Sequence, residues 1–90
     1  MDIVKSKSKN KRFTAIFRDG SRVNFGLKGG STYIDHGDNI KRINYLKRHK
    51  VNEDWTNPKT AGALSAYILW GSSKDINKNI QDYKRRFNLI

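Results

Sequence analysis

Three stretches of this 90-residue chain gather side chains that could do chemistry. Asp35-His36-Gly37-Asp38 sets two carboxylates about an imidazole, a set that can move protons or hold a metal. His49 with Glu53 and Asp54 offers the same donor types again. Glycines 26, 29, 30 and 37, beside Lys28, Ser31 and Thr32, raise the idea of a backbone cradle for phosphate. Each stretch has a plainer explanation. Asp38 stands where a helix N-cap belongs, with its carboxylate at the positive end of the helix dipole. The two histidines lack the H-E-x-x-H spacing of a catalytic zinc helix, and Glu53 and Asp54 are expected to pair with nearby cations or to favour the start of the next helix. The glycines do not follow the G-x-x-x-x-G-K-[ST] order and lie in no strand-loop-helix nucleotide unit, so they are read as turn residues. With no cysteine, neither a thiolate zinc site nor a disulfide framework can form. The expectation is a protein that is not an enzyme, without catalytic residues, metal, cofactor or small-molecule substrate.

What the composition does favour is a charged partner. Nineteen Lys and Arg against eight Asp and Glu give a formal charge of +11, more than the magnitude of about 2–8 that solubility asks of a small domain. A polyanion or an acidic protein surface is the expected counterpart, through steering and counterion release. Candidate contact residues fall in three groups. Lys5, Lys7, Lys9 and Lys11 recur at every second position and run into Arg12. Lys41, Arg42, Tyr45 and Arg48, with His49, share one face of a helix, mixing cations with an aromatic ring. Lys78 and Arg85 stand off the apolar stripe of the last helix.

The elements that would carry these groups form one small α+β domain over residues 12–90, preceded by a basic tail of disordered type, residues 1–11. Phe13, Ala15 and Phe17, then Val23 and Phe25, alternate with polar residues on either side of Asp19-Gly20, which predicts a hairpin. Three helices follow. Asp38 opens the first, running to about residue 50, with Ile40, Ile43 and Leu46 as its apolar stripe. The second, over about 58–70, is apolar nearly all round and is expected to be the buried one, with Asn57 as cap, Pro58 in the first turn and Gly71 stopping it in a left-handed conformation. The third, over about 74–87, has Ser72 or Ser73 as cap and a stripe of Ile76, Ile80, Tyr83 and Phe87. No segment reaches the roughly 18 apolar residues of a membrane span, and residues 1–12 lack the apolar centre of a signal peptide, so a soluble chain is expected.

The string FGLKGGSTYIDHGDNIKRINYLKRHKVNEDWTNPKTAGALSAYILWG resembles a family of small basic proteins encoded by nucleocytoplasmic large DNA viruses, relatives of chloroviruses and mimiviruses. The pattern resting on Tyr33, His36, Asp38, Tyr45, Arg48-His49, Glu53, Trp55, Thr60-Ala61-Gly62 and Leu69-Trp70 carries the likeness, which continues to Arg86-Phe87. The resemblance implies a viral source and no mechanism. Two functions are expected, the first from the viral resemblance and the second from the basic composition. The first is a structural component of the virus particle, a minor capsid or internal protein whose tail and basic helix faces bind acidic surfaces of other virion proteins. It would be found in the virion, and in the host cytoplasm or nucleus during assembly. The alternative is a sequence-nonspecific protein that compacts or escorts DNA or RNA.

Overall fold

The computed structural model describes residues 1–89, which fold as α+β: strands β1 (Asp2–Lys5), β2 (Lys11–Ile16) and β3 (Arg22–Leu27), then helices α1 (Tyr33–His36), α2 (Asn39–Lys50), α3 (Ala61–Leu64) and α4 (Ile76–Arg86). Asp19-Gly20 turns the chain between β2 and β3. Gly20 takes φ +88°, a conformation that costs glycine little, and the Phe17 N–H donates to the Ser21 carbonyl at 2.9 Å. The turn sets Phe13 opposite Phe25 and Ala15 opposite Val23, so the expected apolar face forms, with Ala15, Phe17 and Phe25 buried.

The segment 1–11 is not the free tail its composition suggests. β1 pairs antiparallel with β2, Ile3 opposite Ala15, in a sheet of order β1-β2-β3. Met1 and Ile3 pack at the margin of the core. Backbone pairing needs no apolar side chains beyond Ile3, and it satisfies donors and acceptors along β2 that would otherwise form an open sheet edge.

Over the sheet lies the central apolar segment, as expected, but its beginning and middle differ. Thr60 is the cap, its hydroxyl accepting from the Ala63 N–H at 3.2 Å. Asn57 instead closes a turn with Lys59, and Pro58 stays outside the helix. After one α turn the chain widens into a π turn over Ser65–Leu69, closed by the Trp70 N–H on the Ser65 carbonyl at 2.9 Å. Ala63, Leu64, Ala66, Ile68, Leu69 and Trp70 are buried. Gly71 is required for space, not for a left-handed φ: a Cβ there would press on the Tyr67 carbonyl oxygen and the Asn79 amide.

α4 packs its stripe of Ile76, Ile80, Tyr83 and Phe87 against this segment. Its cap is Asp75, while Ser73 accepts from the Asp75 N–H one turn earlier. Asn79 is buried and donates to the carbonyls of Ile68 and Ser73 at 2.9 and 2.7 Å.

α2 is capped by Asp38 as its sequence requires, accepting from Ile40 and Lys41 N–H at 3.0 and 3.2 Å. Its orientation departs from the expectation in part: of the expected stripe, Leu46 packs at the margin of the core, but the two isoleucines do not. Ile40 and Ile43 are 72% and 42% exposed, and Arg42, Tyr45 and His49 face the body. α1, read as part of a loop, forms one turn inside the glycine-containing stretch. There Thr32 and Asp35 make a reciprocal capping box.

Candidate functional site

Between the end of β3 with its glycine turn, and α2 with α3, lies a cleft of about 450 Å³. One wall is a pile of rings. Trp70, at the end of the π turn, is stacked almost parallel to Tyr45, with centroids 4.1 Å apart at 5°, and His49, one helical turn after Tyr45, lies on its other face at 3.9 Å and 24°. Arg42 locks this arrangement: its Nε donates to the carbonyls of Trp70 and Gly71 at 3.0 and 2.9 Å, which would otherwise end the central segment without donors.

Glu53 fixes the outermost ring. One carboxylate oxygen lies 2.8 Å from His49 Nδ1, and the other accepts from Trp55 Nε1 at 2.9 Å. Burial pushes the Glu53 carboxyl up, but the hydrogen bonds from His49 and Trp55 outweigh it and hold the group below the usual carboxylate range. An ionised Glu53 accepts only, so Nδ1 carries the proton and Nε2 is the ring atom left unengaged by this pair. Gly62 makes room for the carboxylate, since a Cβ there would lie 3.0 Å from Oε1. Burial, with the negative charge of Glu53, raises the Tyr45 hydroxyl to about 12. Lys11, Gly26, Leu27 and Gly30–Thr32 also line the cleft.

A carboxylate-oriented imidazole is half of a general-base device. Ser31, Thr32 and Ser65 bring hydroxyls to the cleft, and that of Thr32 donates to Asp35 at 2.8 Å. Among the described residues no three His, Cys, Asp or Glu side chains come together as a metal site. Asp35-His36-Gly37-Asp38 proves to be local architecture. Asp35 pairs with Arg12, Asp38 caps α2, and His36 Nδ1 accepts from the Asp38 N–H at 2.8 Å with its ring edge-on to Trp70. Nε2 of His36 is buried without a hydrogen-bond partner among the described residues.

The sequence-predicted contact residues divide accordingly. Lys5, Lys7, Lys9 and Lys11 are exposed along the β1–β2 hairpin, and the Lys28 N–H bonds the Asn10 carbonyl at 3.0 Å, which brings a fifth lysine beside them. None of the five takes part in an ion pair among the described residues. Lys41 and Arg48 are also exposed. The others are engaged within the chain. Arg12 grips Asp35 through two bonds of 2.8 and 2.7 Å, and that grip holds the Asp35 carboxyl well below its ordinary value against the opposing effect of burial. Arg42 and Tyr45 dock α2, and Lys78 and Arg85 flank Asp82 at 3.2 and 2.8 Å. The sequence does not predict that His49, held by Glu53, stacks on Tyr45 opposite Trp70. The i,i+4 spacing of His49 and Glu53 is the one visible sign of this arrangement.

Residues 1–49 match a family described as Family of unknown function (DUF5754). The chain belongs to that family, and the match takes in the sheet, α1 and nearly all of α2. No curated protein and no solved structure matches the chain.

Proposed function

We propose that this member of the DUF5754 family is a non-enzymatic, sequence-nonspecific nucleic-acid-binding protein that compacts or escorts DNA or RNA. The supporting observation is the basic hairpin. Lys5 and Lys11 on the paired strands, Lys7 and Lys9 in the loop that joins them, and Lys28 beside that loop are exposed and, among the described residues, take part in no ion pair. Lysines held on a ribbon present phosphate-neutralising charge with little further ordering cost, and as point charges they bind a backbone without reading bases. Lys41 and Arg48 extend the positive surface along α2.

Affinity for duplex DNA should fall log-linearly with salt, and replacing Lys7 and Lys9 together by Ala should flatten the slope by about 2, one for each lost phosphate contact. Binding indifferent to salt between about 50 and 200 mM overturns the reading.

A second reading, a minor capsid or internal component of a virus particle that binds acidic virion proteins, rests on the resemblance of the sequence to viral proteins and on the +11 charge. This reading needs no neighbouring protein to order Asp2–Lys5, which pair with β2. Mass spectrometry of purified particles tests it, and absence of the protein from intact virions rules it out.

A further inference from the structure

We infer that the cleft beside the lysine hairpin takes one unstacked nucleobase of a single strand, stacked on His49. The inference rests on the nucleic-acid reading above and adds to it a substrate class and a subsite.

Four features of the cleft converge on this ligand. Its volume of about 450 Å³ suits a small planar group. Tyr45 is covered by Trp70 on one face and His49 on the other, so the pile ends on His49, which lines the cleft with 37% of its side chain exposed. Glu53 and Tyr45 hold that ring in place, so little side-chain freedom remains to be lost when a base lies on it. Lys11 lines the same cleft at the foot of the lysine ribbon, where the phosphate next to an inserted base would fall.

Glu53 decides which part of a nucleotide enters. An ionised carboxylate in the cleft repels phosphate but accepts from the amino and ring N–H groups of bases, so the base goes in and the phosphates stay on the lysines. For the same reason the cleft disfavours an acidic protein segment, whose carboxylates would meet Glu53. A base can reach His49 only when it is out of a duplex, so the cleft selects single strands, loops or ends, while the hairpin binds either form.

The test is a titration of the full chain with a single strand of about eight nucleotides, and with the blunt duplex of the same sequence, at one salt concentration. His49→Ala should weaken single-strand binding by about 5- to 150-fold, the range found when one base-stacking ring is removed, and leave duplex binding unchanged. His49→Phe, which keeps a stacking surface, should retain most of the single-strand affinity. Circular dichroism melting of both variants checks that they are folded. A measurement on the unaltered protein stands beside them. Trp55 and Trp70, the two tryptophans of the chain, both bound to members of the site, should lose fluorescence with the single strand and not with the duplex.

Equal binding of both forms with no dependence on His49 overturns the cleft assignment and leaves the nucleic-acid reading standing. Failure of both forms to bind overturns the two together. A polyglutamate peptide that quenches the tryptophans as strongly as the single strand also overturns the assignment, and points to an acidic protein instead.

Discussion

Helices α2 and α4 are built alike, 12 and 11 residues long, each capped by an aspartate and each with cations in its last turn. They attach to the molecule by different means. α4 buries Asn79 and Tyr83 outright and lays a continuous stripe against the central segment, whereas α2 buries no residue fully and holds on through Leu46 at the core margin, stacked rings and one guanidinium. Ring stacking of about 1–3 kcal/mol over two pairs and charged hydrogen bonds of about 1.5–3 kcal/mol rival the roughly 3–6 kcal/mol that two buried isoleucines would yield. When such sums are close, the shape of the surface to be met decides. Trp70 and the open carbonyls of Trp70 and Gly71 offer a flat ring and two acceptors, which Tyr45 and Arg42 fit and Ile40 and Ile43 do not. The helix attached by polar and aromatic contacts is also the one that borders the cleft.

The largest effect should come from α4. Tyr83 is fully buried and its hydroxyl donates to the Pro58 carbonyl at 2.7 Å, so Tyr83→Ala removes a large core side chain and leaves that carbonyl without its donor. A loss of about 3–5 kcal/mol is expected, a large part of the stability of so small a domain, with collapse of the urea midpoint as the readout. Tyr45→Ala in α2 should cost less, about 1–3 kcal/mol, because two stacked pairs go but no core cavity opens. If the two variants lose equal stability, the distinction between the helices is wrong.

The same contrast shows what could be read from residues alone. α4 was legible because a period of i, i+4, i+7 and i+11 in Ile76, Ile80, Tyr83 and Phe87 admits one inward face. The hairpin was legible because Asp19-Gly20 between alternating runs admits one register. α2 offered two faces, and its aliphatic one looked more buriable; only the position of Trp70, contributed by a distant segment, selects the other. β1 escaped notice because four residues with a single inward Ile3 carry almost no pattern, although their backbone bonds satisfy the edge of β2. The cleft was hidden for a related reason. His49 and Glu53 were visible as neighbours in sequence, but the stack beneath them and Lys11 in the same cleft depend on long-range packing.

Acid should separate the helices further. Glu53, which anchors the end of α2 through His49, is held below its ordinary value near 4.5 in the folded chain, so the folded state binds that proton less well than the unfolded one. Its stabilisation is complete above that unfolded value and is lost as pH falls through the lower folded value. The buried anchors of α4 are a phenol and an amide, neither of which changes charge in that range. The exposed Asp82 pairs on its surface contribute little. Amide hydrogen exchange between pH 6 and 3 should therefore show protection falling earlier in the last turn of α2 than in α4. Parallel loss in the two helices would mean that Glu53 does not govern the attachment of α2.

The smallest effect belongs to the outward face of α2. Ile40 keeps 72% of its surface exposed and Ile43, though more than half covered, still 42%, so replacing both by Gln should change stability by no more than about 0.5 kcal/mol at Ile40 and about 1 kcal/mol at Ile43. The same change at Ile76 and Ile80, on the packed face of α4, removes buried hydrocarbon and places amides against the core margin. It should cost several times as much, because a polar group taken from water without a partner adds its own penalty. Thermal melting of the two double variants compares the helices directly. A cost at Ile40 and Ile43 close to that at Ile76 and Ile80 would show that the aliphatic stripe of α2 is packed in solution. Tyr45 and His49 would then face away from Trp70, and the cleft would lose its stacking wall.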